Sequence, residues 1–212
     1  REVEVSIARH DFFQTLTELY VEAYSKQIGA WCGKNRLELT GHFLAEETLS
    51  SQTNRVGACM PHYEHFQRPG IDFLTSGRPE VLTAKQAVSV ASQLGRPRVL
   101  SELFGCTGWD CTFEDYKHIG DWHQALGVNQ FCPHLSWYAM KGGAKRDYPA
   151  SMFYQSPWWG DFPLLAAYFG RLSLALSQGR ALREVAVLHP IESAWLLNRR
   201  DDHQANKAFA LS

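Results

Sequence analysis

Two hydrophobic periods take turns along this chain, and they predict helices and strands in alternation. Residues 9–31, RHDFFQTLTELYVEAYSKQIGAW, put Phe12, Leu16, Leu19, Tyr20, Ala23 and Ile28 at helical spacing, with Gly33 and Asn35 placed to end the helix. RLELTGHF (36–43) reads as a strand and RVGACM (55–60) as a short one. GIDFLT (70–75) reads as another, entered through the turn signal Pro69-Gly70. TAKQAVSVASQLG (83–95) is helical and stops at Gly95; RPRVLSELF (96–104) is strand-like throughout. In TFEDYKHIGDWHQALG (112–127), Thr112 is an N-cap with Asp115 three residues on, and Gly127 closes the helix. VNQFCPH (128–134) is a strand ending on His134, followed by a polar, aromatic loop over 135–160. FPLLAAYFGRLSLALSQG (162–179) is a long amphipathic helix, EVAVLHP (184–190) one more strand, and the tail from 198 is polar, then mildly helical.

Strands separated by helices argue for an α/β fold with a parallel sheet, and strand interiors rich in Val, Leu, Ile and Phe fit burial on both faces. In such folds, sites form at the carboxyl ends of strands. Polar candidates gather there: Glu46 and Glu47 after the first strand, Asp72 on the third, Glu102 ending the fourth and His134 ending the fifth. The chain opens on an amphipathic helix that needs a sheet to cover. Its last strand has no helix to partner it before the tail. The expectation is the back part of a barrel over residues 1–180, with 181–212 starting a following domain or linker.

Composition narrows the classes. A chain of 212 residues that is 45% hydrophobic can bury a sizeable core. Its 21 basic and 22 acidic residues are scattered, so no strong field draws nucleic acid or an anionic membrane. No apolar run approaches the ~18 residues of a membrane span. The first residues, REVEVSIARHDFF, lack the basic start and apolar block of a signal peptide. Five cysteines without a C-x-x-C pair point to reduced, buried thiols rather than a disulfide framework or a four-cysteine zinc site. A cytoplasmic location is the expectation.

The chemistry centres on RVLSELFGCTGWD (98–110), where a buried-looking strand ends on Glu102. A carboxylate there is costly unless paired or hydrogen-bonded, so Glu102 is an ion-pair partner or stands at a working cleft. Two carboxylates held on separate strand ends suit glycoside hydrolysis, in which one protonates the leaving oxygen while the other attacks or activates water. Sugar sites also need aromatic platforms, and Trp109, Trp137, Tyr138, Trp158 and Trp159 all fall in loops after strands. Each also has a bland reading as a core or interface aromatic. His42, four residues before Glu46, is a strand-end histidine or a substrate contact; His134 is a candidate hydroxyl-binding residue. A turn role is preferred for Asp72, and capping or solvation for Asp110 and Asp121.

Four stretches, LTGHFLAEETLSSQ, PGIDFL, RVLSELFGCTGWDCTFEDYKHIGDWHQALGVNQFCPHLSWY and SPWWGDFPLLAAYFGRLSLALSQG with the later EVAVLHPIESAW, resemble bacterial glycoside hydrolases with a (β/α)8 barrel, alpha-L-rhamnosidase-like enzymes and family 2-like relatives above all. The resemblance runs over about residues 10–195. It implies that 36–43, 55–60, 70–75, 98–103 and 128–133 are the fourth to eighth barrel strands and 164–178 the last barrel helix. It implies Glu102 in the nucleophile position and Glu46 or Glu47 in the acid/base position, Glu46 narrowly preferred. AEE stands where an Asn-Glu pair is usual, which leaves that assignment open between the two. Rhamnosidase-type relatives look inverting and calcium-assisted, in which case Glu102 would be the base that activates water. The expected substrate is a carbohydrate, with His42, Trp109, His134, Trp137, Tyr138 and Trp158 shaping its site.

Two other readings remain. PHYEHFQRPGID offers His62, Glu64, His65 and Asp72, which with His42 and His134 are the residue types of a divalent-metal hydrolase, although the H-x-x-H spacing is no recognised zinc signature. The third is a carbohydrate-binding segment without catalysis.

Overall fold

The computed structural model describes residues 7–74, 80–143, 146, 148, 152–179 and 181–197. The polar tail and Thr75, the last residue of one expected strand, lie outside them. Helix α1 (Ile7–Tyr20) runs through one π-helical turn, Val21–Lys26, into α2 (Gln27–Lys34). Strand β1 is only Thr40–Gly41, and two short helices follow it, α3 (Leu49–Arg55) and α4 (Met60–Tyr63). Then come β2 (Arg68–Asp72), α5 (Leu82–Gln93), β3 (Leu100–Leu103), α6 (Phe113–Leu126), β4 (Gln130–Pro133), α7 (Phe162–Leu176) and α8 (Ile191–Leu197).

The strands form one parallel sheet in chain order, β1-β2-β3-β4, so each strand hands over through helical chain to its immediate neighbour. Register places Asp72 beside Glu102 and Glu102 beside Cys132. In-register residues of a parallel sheet point to the same face, so these three form one row. Gly70 permits the β1–β2 approach, because a Cβ there would stand 2.3 Å from the Gly41 carbonyl oxygen.

Two apolar clusters hold the outer helices on. One packs Ala84, Ala87, Val88 and Ala91 of α5 against Phe43, Tyr63, Phe66 and Ile71. The other packs Tyr116 and Ile119 of α6 and Leu165 and Phe169 of α7 against Leu103 and Phe104. Helix α6 is bounded as its sequence predicts: Thr112 and Asp115 form a reciprocal capping box, and Gly127 takes the left-handed conformation at φ 110°.

Two expected strands are not strands. Residues 55–60 form the end of α3, a turn at Gly57 and the start of α4. Gly57 has φ +78°, and a Cβ on it would lie 2.0 Å from the Thr17 hydroxyl, so the apolar run marks a tight turn against α1. Residues 184–190 adopt no regular structure, with Val185, Val187 and Leu188 standing 82–89% exposed. A β-prone segment forms a strand only where another strand's backbone is available, and among the described residues none pairs with it. The sheet therefore has four strands from these regions, not the five or six that the pattern suggests. The amphipathic stripe of α1 is also open, with Phe12 61% and Leu19 64% exposed.

Candidate functional site

The carboxyl ends of the four strands bring one polar cluster together. His42 directly follows β1, Asp72 ends β2, Glu102 lies in the last turn of β3 and His134 follows β4. The His42 imidazole reaches over β2: its Nε2 lies 2.7 Å from Glu102 Oε2 and its Nδ1 3.8 Å from Asp72 Oδ2. All three side chains remain about a quarter to a third exposed, so they face an open mouth. Burial raises the proton affinity of Asp72 above the usual carboxylate range, the His42 charge counters that rise, and Glu102 adds to it. His134 contributes to the field at Asp72. Its ring packs against Gly105, where a Cβ would lie 2.9 Å from Nδ1. Cys132 is exposed in the Glu102 row, and burial first, then the Glu102 charge, raises its thiol pKa.

Glu46 sits at the same end of the sheet but inside it. It is 2% exposed. The Phe43 N–H donates to Oε1 at 2.8 Å, the Asp72 N–H donates to Oε2 at 2.9 Å, and the Tyr63 hydroxyl donates to Oε1. Its backbone carbonyl accepts from Gln52 Nε2 at 2.8 Å. Burial pushes its pKa from the ordinary 4.5 up to about 7, against the pull of those three donors toward the charged form. The arrangement ties the loop after β1 to the backbone of β2 and turns the Glu46 carboxylate inward. Glu47, its neighbour, is exposed and adds to the negative field at Asp72.

The other candidates divide. Trp109 and Trp137 stack on one another, ring centroids 4.9 Å apart at 26°, Trp109 half-exposed and Trp137 buried. Trp158 packs edge-on against Phe113 and Tyr116, apart from the polar cluster, and Trp159 stacks on Phe162. Tyr138 is fully exposed. His62 is buried in the core with Nδ1 2.7 Å from the Ser25 hydroxyl, and burial lowers its pKa to about 4. Glu64 points to solvent. The H-x-x-H run thus contributes nothing to the strand-end cluster.

Among the described residues, one group of three could hold a metal ion: His42, Asp72 and Glu102, whose donor atoms lie within 4.8 Å of one another. One imidazole nitrogen and two carboxylates do not suit calcium, a hard cation that takes six to eight oxygens. The 2.7 Å contact between Nε2 and Oε2 is a charge-assisted hydrogen bond in its own right.

Asp72, expected in a turn, instead ends β2 with its carboxylate in the strand-end cluster. The signal lay in its position: it follows Gly70 by two residues, so it shares a face with the glycine that β1 crosses. No helix among the described residues is long and apolar enough to cross a membrane.

No family model matches the chain, and no curated protein matches it. Among solved structures, it is similar to one described as "Structure of Rhamnosidase from Novosphingobium sp. PP1Y", at 22% identity and a TM-score of 0.69. That likeness covers 80% of this chain and 17% of that one. The chain has a rhamnosidase-like α/β fold and spans about a sixth of the length of the protein it resembles.

Proposed function

We propose that the chain is part of the catalytic (β/α)8 barrel of a glycoside hydrolase, with Glu102 as its base or nucleophile. The observation that carries this reading is the contact of Glu102 with His42, beside Asp72, at the carboxyl ends of three adjacent parallel strands. The fold shared with a rhamnosidase supports it, and makes an α-L-rhamnoside the first substrate to test. With no strand between β1 and β2, the four strands correspond to the last four of a barrel, and β3 keeps the seventh position. Residues 1–180 are read as belonging to that barrel, and α8 beyond them packs back onto its first helices, with Trp195 buried and its Nε1 donating to the Gly57 carbonyl at 2.9 Å.

His42 donates to Glu102 and fixes the direction of its carboxylate. Asp72 faces the same imidazole, with a proton affinity raised by burial. One of its carboxylate oxygens lies within 4.8 Å of a Glu102 oxygen, on the same row of the sheet. Asp72 serves as a hydroxyl acceptor for the bound sugar beside Glu102. Glu46 is the scaffold of the loop. Glu47, exposed on the same loop, is the carboxyl group this chain offers as proton donor.

The test is turnover of aryl α-L-rhamnosides. Glu102→Gln is expected to lower kcat by about 10²–10⁴-fold, the usual worth of general acid–base catalysis, with sugar binding retained. Unchanged kcat ends the proposal. Glu47→Gln should slow substrates with poor leaving groups more than activated ones; an equal effect on both assigns the donor elsewhere. A second reading rests on the same cluster: His42, Asp72 and Glu102 are a donor set for a transition metal in a hydrolase. Stoichiometric zinc or manganese in the purified protein, with activity lost on chelation, would favour it.

A further inference from the structure

His123 is a buried titratable side chain that the proposed chemistry leaves unused. It lies on α6 and is fully buried, and its two ring nitrogens both face backbone carbonyl oxygens. Nδ1 stands 2.7 Å from the Ile119 carbonyl of its own helix, and Nε2 stands 3.0 Å from the Phe73 carbonyl. The Phe73 ring packs edge-on against the imidazole, with centroids 5.2 Å apart.

Phe73 is where the two carboxylates of the mouth meet through the backbone. It directly follows Asp72, and its N–H donates to the Glu102 carbonyl at 3.2 Å. One residue on, the Leu74 carbonyl accepts from the Phe104 N–H at 2.7 Å. Phe73 is thus held toward β3 by its N–H and toward α6 by its carbonyl. A shift of that residue moves Asp72 against Glu102, and so disturbs the His42 ring that faces both.

A neutral imidazole carries one N–H for its two nitrogens. Burial lowers the pKa of the ring, against the pull of the two carbonyls toward the charged form. The two oxygens are not equivalent. The Ile119 carbonyl stands four residues back in the same helix, where the His123 backbone N–H is its ladder donor. The Phe73 carbonyl lies one residue past the paired residues of β2. A proton on Nε2, whether the ring is neutral or charged, gives that carbonyl a donor.

We propose that His123 is a positioning residue: its Nε2–H donates to the Phe73 carbonyl and so fixes the strand end that carries Asp72 beside Glu102. It touches no substrate and acts through the backbone. Its consequence for catalysis rests on the glycosidase reading, whereas the bond and its hold on the strand end are read without turnover.

Nitrogen NMR of the histidine rings in the isotope-labelled 212-residue chain gives the first answer. A protonated Nε2 is expected at His123; an Nδ1–H tautomer with a bare Nε2 overturns the proposal, whatever the variants do. Two variants then separate position from packing. His123→Gln puts an amide N–H where Nε2 stood, and His123→Asn puts one where Nδ1 stood, too short to reach Phe73. Hydrogen exchange of the Phe73 amide should be as slow in His123→Gln as in the parent. In His123→Asn it should be about 2- to 10-fold faster, the worth of one hydrogen bond. On an aryl rhamnoside, His123→Asn should lower kcat by about 10- to 100-fold, as a displacement of up to about 1 Å does, and His123→Gln should restore it, with KM unchanged in both. Equal exchange in the two variants, or an equal fall in kcat, overturns the proposal, because lost packing alone affects both alike. Failure of the glycosidase reading would appear separately, as turnover absent or indifferent to Glu102→Gln while the exchange contrast persists.

Discussion

Glu46 and Glu102 are carboxylates at the same end of the same sheet, yet their surroundings differ throughout. The loop after β1 folds Glu46 inward, where two backbone N–H groups and a tyrosine hydroxyl converge on it. The end of β3 leaves Glu102 about a quarter exposed, with an imidazole on one side and open space on the other. A carboxylate surrounded by donors from three segments is a tie between those segments. A carboxylate with one orienting partner and a free edge can meet a ligand. Position at a strand end is common to both, so it is access and partner count that separate a scaffold from a candidate catalyst.

The sharpest way to break this contrast is to remove each carboxylate in turn. Glu46→Ala leaves three donors without an acceptor, two of them buried and one part-buried, and each buried loss costs about 1–3 kcal/mol. The expected destabilisation is about 3 kcal/mol or more, a large part of the roughly 5–15 kcal/mol that holds a typical domain. Glu102→Ala at its partly exposed position should cost about 1 kcal/mol or less. Urea denaturation of the two variants makes the comparison, and equal losses would erase the distinction.

Titration gives a second, smaller contrast. Burial raises the Glu46 pKa from the ordinary 4.5 to about 7, so the folded state holds a proton that the unfolded state has released. Its contribution to stability is fully present below pH 4.5 and is lost as pH rises to about 7. Glu46→Gln has no proton to lose, so its stability should lack that fall across the same window. Thermal melts at closely spaced pH values measure the slope; an unchanged slope in the variant would place the titration elsewhere.

Much of the frame was legible because local signals agreed with tertiary needs. The helix from Thr112 to Gly127 appears as its caps predict, and the strand around Glu102 appears within its expected stretch, shortened to Leu100–Leu103. RVGACM misled because a short apolar run carries no period of its own. Its apolar residues are buried by a turn beneath α1, where Gly57 meets Thr17. EVAVLHP misled for the opposite reason, since its pattern is strand-like but no described strand lies beside it. The cluster itself was only half visible. Glu102 announces itself by ending an apolar strand, but its contact with His42 depends on how β1 crosses Gly70, and register is not written in either segment alone. Nor does the sequence distinguish Glu46 from Glu47. Which of two adjacent glutamates turns inward follows from the loop's backbone, where Ala45 takes φ +65°.

His42 links the two regions most directly, because it lies on the loop side of β1 and touches Glu102. His42→Gln keeps a donor but loses the imidazole's second nitrogen and its reach toward Asp72. The expected result is a roughly tenfold loss of kcat, as for an orienting hydrogen bond worth about 1.4 kcal/mol. KM should change little, and kinetics on the aryl rhamnoside separate the two. An unchanged kcat would mean that Glu102 needs no orientation from the β1 side.

The smallest effect is expected at Gly105, and it tests whether the β4 side of the mouth matters at all. A Cβ added there would stand 2.9 Å from His134 Nδ1, 3.0 Å from Cγ and 3.2 Å from Cβ, so the whole imidazole must turn away. The backbone of Gly105 does not require glycine, since its φ lies outside the left-handed region. The cost of Gly105→Ala is therefore steric, and His134 is only half-buried and has solvent to turn into. Stability should fall by under about 1 kcal/mol, below the usual range for overfilling a tight core. If His134 binds a sugar hydroxyl, KM should rise while kcat holds, because binding is lost without touching the His42–Glu102 pair. A kcat loss with KM unchanged would instead tie His134 to the field at Asp72 and Glu102, and the mouth would then act as one electrostatic unit across all four strands.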